Sequence, residues 1–229
     1  RRLMAMNLQH SVDVEKPVQE SEFGNTLEQL RAFYDEEALQ RQSRELAPWK
    51  ERERDRFREC VSGQGRVLEL GSGPGRDAEY FVQCGFCVTC LDASKEMVAC
   101  CIARGLDSFV SDITEPLEFA DASFDAVFAM NSLLHVPKDK LPSVLAEVRR
   151  VLRPGGLFFM GVYGGTEFAG NWDEDPTGRH RFFAYYSDEA LRDMVRTFFA
   201  EEYFAAIQSG PRAGLHFQSM LLRRPLDSH

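Results

Sequence analysis

No stretch of this 229-residue chain approaches the ~18 uncharged apolar residues that a membrane helix requires, and no signal-peptide pattern opens it. These absences argue against a membrane partner, and the chain is expected to be cytoplasmic. Positive charge is scarce, with 27 Lys and Arg against 36 Asp and Glu and a net charge of -9. That balance argues against a nucleic-acid partner, since binding a phosphate backbone relies on clustered Lys and Arg. The phosphate-loop pattern Gly-x-x-x-x-Gly-Lys-Ser/Thr is missing, as is a Tyr-x-x-x-Lys pair. Six cysteines are present, and Cys84-x-x-Cys87-x-x-Cys90 has ligand-like spacing, but no His or further Cys pair follows at finger spacing. Cys87 and Cys90, three apart on a strand, point to opposite faces. They are read as free, mostly buried thiols, and no metal is expected.

What remains is ordinary for a globular chain: 44% hydrophobic and 28% charged residues, enough for one domain with a full core. Residues 1–24, opening on Arg1, are expected to form a poorly ordered leader. Residues 25–58 read as a helical cap, with Leu27, Leu30, Phe33 and Tyr34 in one apolar stripe and Leu46 and Trp49 in another. The run from Lys50 to Arg58 alternates in sign and reads as a solvated helix face.

From Arg66 onward strand and helix signals alternate, the pattern of a doubly wound α/β sheet with right-handed crossovers. Strands are expected at 67–70, 86–91, 108–111, 124–130 and 157–163. Helices are expected between them, with Ala78, Phe81 and Val82 facing inward on one and Met97, Val98, Cys101 and Ile102 on the next. The helix bearing Leu141, Val144, Leu145, Val148, Val151 and Leu152 is the clearest, and Pro154-Gly155-Gly156 stops it. Two runs, 202–207 and 215–222, flank Gly210-Pro211-Arg212-Ala213-Gly214 and should form an antiparallel hairpin at the sheet edge. Between them and the fifth strand lies a long insertion, 164–186, rich in aromatics and holding Arg179, His180 and Arg181. It reads as a substrate lid.

The most informative stretch is Val67-Leu-Glu-Leu-Gly-Ser-Gly-Pro-Gly-Arg-Asp77, a buried strand running into a glycine-rich turn and a helix start. The dinucleotide fingerprint Gly-x-Gly-x-x-Gly needs glycine at position 76, where this chain has Arg76. Its own spacing, Glu-x-Gly-x-Gly-x-Gly, resembles the first motif of the class I S-adenosylmethionine-dependent methyltransferases. Asp92, Asp112, the run Asn131-Ser132-Leu133-Leu134-His135 and Pro154-Gly155-Gly156 follow in the family's order. The resemblance covers residues 60–222 and implies a seven-stranded, mostly parallel sheet of order 3-2-1-4-5-7-6, strand 7 antiparallel.

It also implies S-adenosyl-L-methionine as cofactor and S-adenosyl-L-homocysteine as product. Glu69, Gly71, Ser72, Gly73 and Gly75 would hold the methionine part, with Arg76 or an N-terminal arginine such as Arg44 on its carboxylate. Asp92 would take the ribose hydroxyls with Ala93 and Met97 alongside, and Asp112 and Ile113 the adenine. Asn131 and Ser132 would border the methyl group, and His135 is the candidate general base. Tyr34, His135, Tyr163, Trp172 and Arg181 are candidate acceptor or lid residues. The implied reaction is methyl transfer to a small-molecule O, N or C nucleophile by in-line displacement. The Asp/Asn-Pro-Pro-Tyr/Phe sequence usual in nucleic-acid and amide methyltransferases of this fold is absent. Two alternatives stay open: a non-catalytic sensor or scaffold that binds the cofactor, and an NAD-dependent reductase. The sequence does not set the oligomeric state.

Overall fold

The computed structural model describes residues 20–172, 175, 177–179, 181–209 and 214–227, with side chains from Thr26 onward. Five strands, β1 (Arg66–Leu70), β2 (Cys87–Asp92), β3 (Asp107–Val110), β4 (Phe124–Met130) and β5 (Leu152–Gly164), run parallel to one another. A two-stranded hairpin, β6 (Phe168–Asn171) and β7 (Phe182–Tyr185), stands apart from the main sheet, which β8 (Ala200–Ile207) and β9 (His216–Arg223) complete. The order is β3-β2-β1-β4-β5-β9-β8, with β9 antiparallel to both neighbours. With the inserted hairpin set aside, this is the expected 3-2-1-4-5-7-6.

The helices are α1 (Glu20–Gln42), α2 (Pro48–Cys60), α3 (Arg76–Gln83), α4 (Lys95–Ala103), α5 (Leu141–Val151) and α6 (Asp188–Arg196). Because parallel strands are covered on both faces, β1 is apolar on each side. Leu68 and Leu70 pack with Leu141, Val144 and Leu145 of α5. Val67 packs with Phe57 of α2 and Ala78 and Phe81 of α3. Phe57 is almost fully buried, its ring 5.0 Å from Phe128 and 5.3 Å from Phe81. Edge and offset ring pairs of this kind add to the burial of α2 against the sheet.

Several boundaries and orientations differ from the expectation. The first helix begins at Glu20, inside the segment read as a leader; residues 1–19 lie outside the described residues. Val82 and Ile102 are exposed, because each sits one residue beyond a buried partner, Phe81 and Cys101, at the rim of its helix stripe. The fifth strand starts at Leu152, which pairs with Phe124 before a register shift; Gly155 and Gly156 are held by backbone bonds to Arg224. The 164–186 insertion is partly ordered as β6 and β7, whose register Phe168 to Tyr185 places aromatic residues opposite one another. Asp173, Glu174, Pro176 and His180, and the 210–213 part of the terminal turn, lie outside the described residues.

The 50–58 run is solvated only in part, at Glu51, Arg52 and Arg56. Glu53 is buried and accepts a 2.7 Å bond from the Ser219 hydroxyl, and Arg54 pairs with Asp77 at 3.3 Å. Arg58 pairs with Glu59, and Asp55 accepts from the Tyr80 hydroxyl. Of the six cysteines, Cys90, Cys100 and Cys101 are buried, Cys84 is half-buried, and Cys60 and Cys87 are exposed, all free.

The turn from β1 into α3 depends on Gly75, at φ +81°, where a Cβ would lie 2.6 Å from Leu106 and 2.8 Å from the Cys101 sulfur. A side chain there meets both left-handed strain and overpacking. Gly75→Ala should therefore destabilise the fold by ~2 to 4 kcal/mol. A urea midpoint equal to that of the wild type would show that the turn relaxes freely.

Candidate functional site

In an open parallel sheet, the chain leaves β1 and β4 toward opposite faces, and a crevice forms beyond their carboxyl ends. Here that crevice is a cavity of about 210 Å³ walled by the 71–76 turn, the ends of β2, β3 and β4, and α1 laid across the top. Glu69, Gly71, Ser72, Gly73, Arg76, Asp92, Ala93, Met97, Asp112, Ile113, Asn131, Ser132, Tyr34 and His135 all reach it.

Glu69 shares the Val67 face of β1 and is 3% exposed. One carboxylate oxygen, Oε2, is buried without a hydrogen-bond partner, while the Ala78 backbone N–H donates to the group. Burial, with Asp77 nearby, pushes this carboxyl well above its ordinary range. A buried acceptor left unpaired costs ~1 to 3 kcal/mol, so the site is arranged for a donor or cation from outside the chain. Gly73, at φ +54°, has open space where a Cβ would stand, so backbone lies bare to the cavity.

Asp92 ends β2 and is fixed by two backbone donors, Gly73 N–H at 2.8 Å and Ser94 N–H at 2.9 Å. Burial raises its pKa, and those two bonds oppose the rise. Asp112 accepts from Thr114 N–H and Oγ1–H and faces Arg31 of α1 at 3.5 Å. Asn131 holds a left-handed φ of 60°, which asparagine tolerates better than most residues. Its Oδ1 is a second buried acceptor without a partner.

His135 ends a single 3-10 turn, Leu133–His135. Its Nδ1 lies 2.8 Å from the Phe182 carbonyl, which can only accept, so Nδ1 carries the proton. Nε2 is then the acceptor for the Tyr34 hydroxyl at 2.7 Å. Burial, reinforced by Arg181 and Arg41 and only partly offset by the Phe182 bond, lowers the His135 pKa to about 4. The imidazole is neutral and its free lone pair is already engaged.

Five expected residues do not line the cavity. Gly75 serves packing beneath the turn, as its Leu106 and Cys101 contacts require. Tyr163 lies at the end of β5, edge-on to Phe217 at 5.5 Å. Trp172 is buried edge-on against Phe183 under the hairpin. Arg181 is turned to Asp175 by two bonds of 2.6 and 2.9 Å and reaches Tyr34 from behind at 3.5 Å. Arg44 is exposed and pairs with Glu37. Conversely, Arg41, Lys50, Arg31 and Asp77 line the cavity and were not singled out. The Lys50 signal was present in the sequence, since Trp49 beside it marks the start of a helix that must pack. Among the described residues, no group of three or more His, Cys, Asp or Glu could hold a metal ion.

The family model described as "Methyltransferase domain" matches residues 67–156. Curated relatives include a sterol 24-C-methyltransferase of Schizosaccharomyces pombe, 31% identical over 61% of this chain and 38% of its own. A demethylmenaquinone methyltransferase of Renibacterium salmoninarum is 36% identical over 48% of this chain and 45% of its own. The chain spans less than two thirds of the length of the curated relatives it matches. Among solved structures, a Burkholderia thailandensis 1,6-didemethyltoxoflavin N1-methyltransferase, holding that compound and S-adenosylhomocysteine, covers 93% of both chains at TM-score 0.71 and 22% identity. The cyclase SpnF, a [4+2]-cyclase, covers 81% of this chain and 86% of its own at TM-score 0.63 and 21% identity. Residues 67–156 thus match a methyltransferase-domain model, and the sheet around them has the strand order expected of the class I S-adenosylmethionine-dependent methyltransferases.

Proposed function

We propose that this cavity binds S-adenosylmethionine and that the chain catalyses methyl transfer to a small-molecule acceptor. The observation that carries this reading is the unpaired Oε2 of buried Glu69, placed beside the bare backbone of Gly73 and within one cavity with Asp92. An ammonium group satisfies Glu69 and favours its ionised form. A ribose diol offers two donors to the remaining lone pairs of Asp92. Asp112 and Ile113 together offer an acceptor and an apolar wall to a purine.

Bound there, the cofactor supplies a methyl group on a sulfonium, which needs little activation. The chain's contribution is alignment and exclusion of water, through Tyr34, Leu27 and Leu30 of α1 closing over the strand ends. His135 is suited to positioning Tyr34 more than to storing a proton, because its lowered pKa makes the imidazole a weak base and Nε2 already accepts from the Tyr34 hydroxyl. The relatives' names include C- and O-methyltransferases, and that of the Burkholderia neighbour an N-methyltransferase, so the attacking atom is left open. Among the described residues no helix is long and apolar enough to cross a membrane.

Calorimetry with S-adenosylmethionine, S-adenosylhomocysteine and NAD tests the cofactor directly: both sulfur ligands should bind and NAD should not. Binding of NAD alone would overturn the assignment, and sulfur-ligand binding with no methylated product across a metabolite panel would favour a sensor. Asp92→Ala should weaken S-adenosylhomocysteine binding by ~1 to 3 kcal/mol, and an unchanged Kd would remove Asp92 from the site.

The neutral His135 gives a separate prediction about pH. Its folded pKa lies below the ordinary 6.5, so between pH 6.5 and about 4 the unfolded chain binds the extra proton and stability falls as pH drops. Up to roughly 3 kcal/mol of that loss belongs to this one group. His135→Asn, which keeps a donor for the Phe182 carbonyl, should lose less stability than the wild type across that interval in urea titrations. Parallel losses in the two proteins would mean His135 is protonated in the fold.

A further inference from the structure

The cavity contains more positive charge than the cofactor can use. Of its four carboxyl groups, Asp112 faces Arg31 at 3.5 Å, Asp77 faces Arg54 at 3.3 Å, Asp92 is held by backbone N–H groups, and Glu69 keeps one oxygen unpaired. Among the described residues, Lys50 and Arg76, both on the wall, have no carboxylate within ion-pair distance. Arg41, also on the wall, has only Glu37, at 3.9 Å from its Nε, and Arg44 shares that same carboxylate oxygen at 3.5 Å.

These cations fall into two groups. Lys50 and Arg76 both feel Asp77, at the start of α3 beside Glu69. Arg41 lies over the Tyr34 ring, 4.9 Å from its centre, and its field reaches Asp92 and His135. The ammonium and carboxylate of an amino acid sit on one carbon. If Glu69 takes the ammonium, the carboxylate must fall near Asp77, within the Lys50 and Arg76 group. Arg41 is then left over, half-buried with its side chain 28% exposed, beside the aromatic pair Tyr34 and His135. A partly desolvated guanidinium that shares its one carboxylate with Arg44 is costly unless a ligand supplies the anion.

Resting on the methyl-transfer reading above, we propose that the acceptor is an anionic small molecule whose carboxylate or phosphate group is bound by Arg41. Arg41 thereby selects the substrate, while Lys50 and Arg76 serve the cofactor. The planar fork of arginine suits either oxyanion, and the neighbouring rings suit a flat body attached to it.

The test uses protein saturated with S-adenosylhomocysteine, titrated with benzoate, phenyl phosphate and the neutral isostere benzamide. At least one of the two anions should bind 10-fold or more tighter than benzamide, and which one does so separates carboxylate from phosphate acceptors. Arg41→Gln should erase that preference, and Arg41→Lys should restore part of it, with S-adenosylhomocysteine binding within 3-fold of the wild type in both variants. Three results would each overturn the proposal: no preference for either anion, including no binding of either; an anion preference that survives Arg41→Gln; or a loss of S-adenosylhomocysteine affinity in Arg41→Gln, which would make Arg41 a cofactor residue. Failure of S-adenosylhomocysteine to bind the wild-type protein would instead strike the methyl-transfer reading itself, before the anion is added.

Discussion

Everything at the site depends on the position of β1 between β2 and β4, parallel to both. Burial on two faces leaves its polar chemistry only one outlet, the carboxyl end, where the chain turns toward α3 and the neighbouring β4 turns the other way. Glu69 is the exception that defines the site. It is a carboxyl placed inside the apolar layer, two residues before the turn, with one oxygen left unsatisfied. The crevice beside it is where the proposed cofactor would supply the missing donor. Asp92, Asp112 and Asn131 reach the same crevice for the same topological reason, each following a strand that ends there.

The sheet and the glycine-rich turn could be read from the sequence because their signals are local. Period-2 and period-3.6 patterns set the strands and helices, and the spacing of Gly71, Gly73 and Gly75 separates this turn from a dinucleotide loop. The last two of these glycines act differently: Gly73 exposes backbone to the cavity, whereas Gly75 makes room for Cys101 and Leu106. Spacing alone does not distinguish them, since the difference lies in what packs from α4. The same limit explains the misread faces. Lys50, Glu53 and Arg54 belong to a charged run, and only the docking of α2 through Phe57 shows that this face meets the sheet and the cavity. Trp172 and Arg181, read as lid residues, instead build the hairpin and its Asp175 clamp.

Donor and acceptor sides of the cavity are determined to different degrees. The donor side is built from backbone geometry and strand ends, features shared across this architecture. The proposed acceptor side is bounded by α1, and a [4+2]-cyclase on the same fold shows that the sheet does not dictate the reaction. Tyr34, held between His135 and Arg181, and Arg41 over its ring are the residues through which we propose that this chain selects its acceptor.

The central claim is that buried Glu69, its carboxyl pushed well above the ordinary range, is ionised by the arrival of a cationic amino group. Calorimetry of S-adenosylhomocysteine binding at pH 6 to 7, repeated in buffers of different ionisation enthalpy, counts the protons exchanged. The account predicts net release of up to one proton per ligand bound, abolished in Glu69→Gln. Binding without proton release, or equal release in the variant, would contradict it.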